Sequence, residues 1–224
     1  LAAAVFSVLA VRSQRSAAAG LPPLRWVGAI IYFSLLGIGF MVVETCLAQK
    51  LVLYLGYPVL TLSVILFALL LGSGCGSLFS QRFPTSRAGQ VVALAAGALV
   101  AYGLLLQFAQ PTVVNATLGW DLRWRCLLAF VMLVPLGFGL GMPFPTGLRA
   151  VGQEAARFVP WMWGVNGLTS VVGSVGAMIM AKLWGFSVTL MLGWAVYAAV
   201  AVLAASGLAL GRGARGEHAV LPSP

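Results

Sequence analysis

The sequence predicts an all-α fold, a polytopic transmembrane helical bundle of six full spans plus a partial N-terminal span. Three observations carry that prediction. Hydrophobic residues fill 61% of the 224 positions and charged residues only 8%, far below the quarter or so typical of soluble domains. Mean hydropathy is +1.03, and apolar residues recur in runs of about 18 or more, the length a helix needs to cross hydrocarbon. Arginines, glycines and prolines punctuate those runs.

Taken in order, residues 1–11 read as the end of a helix whose start precedes Leu1, so the chain is expected to be part of a longer protein. Neither a charged n-region nor a cleavage site marks a signal peptide. The link 12–25 holds Arg12, Arg15, Arg25 and the pair Pro22-Pro23. Helices are expected at about 26–49, 58–80, 91–109, 126–146, 161–181 and 187–210. A Gly56-Tyr57-Pro58 turn separates the first two, and QRFPTSRAGQ separates the next pair. The longest link, 110–125, carries Asn115, Asp121, Arg123 and Arg125. Residues 212–224 form a polar tail with the composition of a disordered segment.

Charge assigns the sides. Arg12, Arg15, Arg25, Arg82, Arg87, Arg149, Arg157, Arg212 and Arg215 fall on one side, against Lys50, Arg123, Arg125 and Lys182 on the other. Nine against four puts the tail in the cytoplasm of a bacterial inner (plasma) membrane. The net charge of +9 therefore reads as loop charge, and nucleic acid is not expected as a partner. The lipid bilayer is.

The pattern also limits the chemistry. Glu44 has no second carboxylate near it, no histidine lies in a helix, and no Ser/His/Asp set exists. An autonomous enzyme is not expected, nor is a cofactor. Cys46, Cys75 and Cys126 lie in or beside apolar runs without ligand spacing, and read as buried inert thiols rather than a metal site or disulfide.

The candidate site lies in 136–173, LGFGLGMPFPTGLRAVGQEAARFVPWMWGVNGLTSVVG. Pro143 and Pro145 break a spanning helix, and such a break survives in hydrocarbon only where something satisfies the freed carbonyls. Asn166 is placed to cap or bridge them, or else to touch a ligand from the cytoplasmic side. Trp161 and Trp163 read as interface anchors beside Pro160, and Arg149 as a snorkelling interface residue. Arg149 and Asn166 are expected close together, because a short link joins their helices.

Glu44 is the one acid inside an apolar run. It reads either as a proton or cation site, or a latch paired with Lys50 or Lys182, or as a residue at a helix end within reach of water. The stretch GSGCGS (72–77) imitates a nucleotide loop but lies inside a spanning helix, where small residues serve close packing. Gly173, Ser174 and Gly176 read the same way. LLGIGFM (35–41) echoes LGFGLGM (136–142). With three helices between, a true repeat would be inverted, as in many secondary transporters.

Three stretches in order, GIGFMVVETCLAQKLVLYLGYPVLTLSVILFALLLGSGCGSL, LGFGLGMPFPTGLR and PWMWGVNGLTSVVGSVGAMIMAKLWGF, resemble the membrane part of bacterial spermidine-synthase-like membrane proteins. The family pattern maps onto Glu44, Gln49, Lys50, Gly56 and Pro58, then Pro143, Pro145, Gly147 and Arg149, then Pro160, Trp161, Trp163, Gly164, Asn166 and Gly167. Tyr57 stands where histidine is expected. The resemblance implies a non-catalytic membrane domain that anchors or serves a polyamine aminopropyltransferase-type domain at the cytoplasmic face, carried elsewhere in the polypeptide or on another chain. The glycine loop and acidic residues of such a domain are absent from these residues. Two rivals remain: a transporter-like bundle moving a small, conceivably cationic solute, and a structural subunit of a larger membrane complex.

Overall fold

A computed structural model describes residues 23–210, with side chains from Trp26 onward; the expected helix at 1–11 and the tail at 212–224 lie outside them. The described residues are helical and hold no strand. In chain order they form α1 (Pro23–Leu55), α2 (Pro58–Ser80), α3 (Ala88–Thr117), α4 (Leu122–Gly141), α5 (Pro143–Ala155), α6 (Val159–Trp184) and α7 (Phe186–Ser206). Five helical segments are long and apolar enough to cross a membrane; the fourth, Leu122–Trp184, contains α4, α5 and α6. Large apolar side chains point outward along them, Leu53 at 81%, Val59 at 80% and Leu94 at 76% exposure. Such a surface is compatible with a lipid bilayer.

Several helices run past their expected ends. α1 continues through Lys50 to Leu55, and α3 through Pro111 to Thr117, so the first half of the 110–125 link is helical. The expected single helix at 126–146 ends instead at Gly141. Pro143 opens a new helix, α5, that absorbs the polar link through Ala155. Proline is well placed there, since a first-turn N–H has no intrahelical partner to lose. The two prolines thus start an element rather than strand carbonyls within one.

Glycines bring the helices together in two matched pairs. α2 and α4 run parallel in tight contact: a Cβ on Gly76 would lie 2.1 Å from the Phe138 carbonyl oxygen, and one on Gly72 2.3 Å from that of Val134. α1 and α6 also run parallel, with Gly37 against Asn166 and Thr169 and Gly173 against Ile38. Of the glycines read as packing residues, Gly74 and Gly176 have open space where a Cβ would go. Packing selects Gly72, Gly76 and Gly173.

The two pairs are related. A shift of 100 residues carries Gly37 to Gly137 and its neighbour Thr169 back to Leu69, and Gly137 does pack on Leu69. The same shift carries Ile38 to Phe138 and its neighbour Gly173 to Ser73, between the Gly72 and Gly76 that pack against Phe138. Triplet α1–α2–α3 therefore repeats as α4/α5–α6–α7. α3 and α7, which this exchange swaps, pack antiparallel, Gly89 by Ala204 and Gly103 by Trp194. α1 is likewise antiparallel to α7, with Gly28 by Leu208 and Gly193 by Val42. α1 is parallel to α6 and antiparallel to α7, so the second triplet is inverted relative to the first.

Candidate functional site

The bundle has two dissimilar ends. At the Arg149 end, side chains from other helices pack on and bond to the segment that the prolines open. Tyr32 is fully buried, and its hydroxyl donates to the Pro143 carbonyl at 2.7 Å. Gly147 sits on the Tyr32 and Phe33 rings, where a Cβ would lie 2.5 Å from Tyr32 Cε1. Phe33 meets Phe144 edge-on, and Phe144 meets Trp163 in the same way. α5 is thereby docked across the start of α1. Arg149 reaches the end of α2 and donates to the Ser80 carbonyl at 2.5 Å, a favourable place for a cation because the last carbonyls of a helix are unpaired and carry its negative dipole end.

At the Lys50 end the helices part. α1, α3, α4 and α7 leave between them a narrow cavity of about 80 Å³, which widens outward into a vestibule of about 500 Å³. Its floor is apolar, formed by Leu133, Leu136 and Trp194. Lys50, Tyr54 and Gln110 line its mouth and also a wider vestibule bounded by Trp184 and Ser187. A chain of hydrogen bonds fixes the rim: Lys50 Nζ donates to Ser187 Oγ at 2.9 Å, Gln107 Nε2 to the Ser187 carbonyl at 2.9 Å, and Trp194 Nε1 to Gln107 Oε1 at 2.8 Å. Behind it Tyr54 and Thr117 share a hydrogen bond at 2.7 Å, and Arg125 donates to the Tyr54 carbonyl at 2.8 Å. No Asp or Glu lines this cavity. Its shape suits a molecule with an apolar body and an anionic or hydrogen-bond-accepting head.

Against this geometry, no family model, curated protein or solved structure matches the chain. The site rests on its own residues.

Of the residues singled out from the sequence, Lys50 alone belongs to the cavity. Pro143, Pro145, Trp161, Trp163 and Asn166 pack at the other end, where Arg149 also lines an open surface pocket with Phe83, Thr85 and Gln153. Asn166 donates to the Phe33 carbonyl of α1 at 3.1 Å, not to a carbonyl freed by proline. Both residues lie at this end of the bundle, where Arg149 bonds to α2 and Asn166 to α1. Trp163 is 58% exposed, while Trp161 is half-buried against the core. Gln49 is half-buried and makes no side-chain hydrogen bond among the described residues. Glu44 is half-buried and joins no ion pair there, because Lys50 turns to Ser187 and Lys182 lies in the last turn of α6. The expected latch is absent. Cys46 is buried as expected, but Cys75 is exposed on the outer surface of α2.

The residues the sequence did not flag are Tyr54, Gln107, Gln110, Ser187 and Trp194. Gln107 and Gln110 could have been noticed. They are two amides one turn apart at the end of an apolar run, and amides within such a helix tend to face a partner or a cavity.

Proposed function

We propose that this chain is a multi-pass membrane domain of six crossings, α4 and α6 each making one, that binds an amphiphilic molecule in the cavity at the Lys50 end. The observation that carries this reading is the combination of an apolar floor with a single cationic mouth residue, Lys50, and no carboxylate. The apolar body of the ligand displaces the poorly solvated interior. Its anionic head replaces Ser187 as the acceptor for Lys50 and reaches the Gln110 amide. A polyamine is a poor match, since nothing acidic awaits its cations. The excess of arginine at the Arg149 end supports placing that end in the cytoplasm and the cavity mouth outside.

The test uses Trp194 as reporter. In the purified chain, a bromine-labelled twelve-carbon fatty acid should quench tryptophan emission, and Lys50→Met should weaken binding roughly tenfold, as loss of a charge-assisted hydrogen bond implies. The uncharged twelve-carbon alcohol should bind both forms alike. Equal affinity of the acid for both forms would refute the assignment of Lys50.

A second reading concerns the other end. The Arg149 end, where Tyr32, Arg149 and Asn166 each donate to a neighbouring helix, favours a rigid platform. On that reading α5 and its flanks anchor an aminopropyltransferase-type domain on the cytoplasmic side, as the resemblance implies. A pull-down of such a domain by α5-face substitutions that fail to release it would count against this.

A further inference from the structure

The repeat relates the open end to the closed one. The cavity is enclosed by α1, α3, α4 and α7, and exchanging the two triplets maps this set of helices onto itself. Shifted by 100 residues, the cavity-lining positions of α4, Met132 and Leu133, become Tyr32 and Phe33, both at 0% exposure. Those of α1, Leu47, Lys50 and Leu51, become Gly147, Ala150 and Val151 of α5. At the Arg149 end the equivalent space is thus filled, by two aromatic rings and by α5 lying on them.

We infer that the chain carries its amphiphile across the bilayer by exchanging the conformations of its two inverted triplets, with α5 as the door at the Arg149 end. The inference rests on the cavity being a binding site. Inverted repeats permit such exchange because two packings related by a pseudo-two-fold axis have comparable energy. The door has an interruption that its counterpart lacks: α1 passes unbroken through Val43, whereas helical hydrogen bonding lapses at Met142 before Pro143. α5 is only 13 residues long. Its polar latches include Tyr32 to the Pro143 carbonyl, Arg149 to Ser80 and Thr85 to Gln153. Swinging α5 off Tyr32 opens a passage to the apolar floor, while α1 closes on α3 and α4 at the Lys50 mouth.

The test places a cysteine at Ala150, buried at 7% in the closed door, in a chain whose Cys46, Cys75 and Cys126 are replaced by serine or alanine. Reconstituted in vesicles, it is labelled with a membrane-impermeant maleimide from the Arg149 side. Tyr32→Phe removes the latch and should raise the labelling rate roughly 5- to 10-fold; Gly147→Ala wedges the door against the Tyr32 ring and should do the same. Dodecanoate transfer into the vesicles should change with both. Trp194 quenching, measured on the same samples, reports folding and binding separately. Labelling and transfer unmoved by either variant while quenching persists would overturn the exchange and leave the binding site standing. Loss of quenching in the unmodified chain would remove the binding site, and with it the exchange.

Discussion

α1 and the α4–α5 segment occupy equivalent places in the two triplets, yet one is a single helix of 33 residues and the other a helix of 20 followed by one of 13. At about 1.5 Å per residue α1 is roughly 50 Å long, more than the roughly 30 Å of hydrocarbon it has to cross. Its last turn is tied to α3 through Thr117 and to α4 through Arg125, and the cavity lies beside the turns before it. The α4–α5 segment has the same length of chain but folds its second part down onto Tyr32. Where α1 has Val43 and Thr45, this segment has Pro143 and Pro145. These prolines, together with Tyr32 and Phe33 where α4 has Met132 and Leu133, distinguish the two ends, and the lesson is that a repeat can hold one fold while local differences set the state of each end.

The sharpest way to break the comparison is to attack what the triplets share. Gly76→Leu drives a side chain into the Phe138 backbone and should destabilise the bundle by about 3 kcal/mol or more. Gly173, a packing glycine of the other pair whose nearest neighbour would be 2.8 Å away rather than 2.1 Å, should lose less on the same substitution. Thermal unfolding of the two detergent-solubilised variants would show the order, and equal losses would mean the glycine contacts do not set the stability of each pair.

A second variant targets what the triplets do not share. Replacing Pro143 and Pro145 together by alanine removes a barrier to continuous helix of about 3 kcal/mol per proline. The α4–α5 segment should straighten toward the form of α1. Cysteines placed at Tyr32 and Gly147 should then cross-link several-fold less than with both prolines present. Unchanged cross-linking would show that the docking of α5, not the prolines, makes the break.

The smallest effect is expected at Asn166. Asn166→Leu removes the hydrogen bond to the Phe33 carbonyl, and interhelical bonds of this kind contribute about 0.6 kcal/mol in membranes. A loss above about 2 kcal/mol in the same unfolding assay would mean that Asn166 orders more than its one partner.

Much of the fold was legible. Long apolar runs announce spanning helices because no other open structure satisfies its own backbone in hydrocarbon. The bounds of α2 follow from Pro58 at one side and the polar link after Ser80 at the other. Gly72 and Gly76 could be read as packing residues since no strand precedes them, and the echo between 35–41 and 136–142 points to the same two helices, one residue out of the register that the helix pairs display. Less could be read at the site. Arg149 is a snorkelling cation by its position in the chain, and only the arrival of α2 beside it supplies the Ser80 carbonyl. Glu44 and Lys50 are six residues apart in the sequence, but the helix turns them to different neighbours.

The sequence alone determined the solvent of this protein, its helical class and the places where close backbone approach is required, because those depend on composition and on runs of adjacent residues. The tertiary structure decided which end is open. The cavity takes Lys50 from α1, Gln107 and Gln110 from α3, Leu133 from α4 and Trp194 from α7, residues up to 144 positions apart from Lys50 to Trp194. No local pattern joins them; only the packing of four helices does.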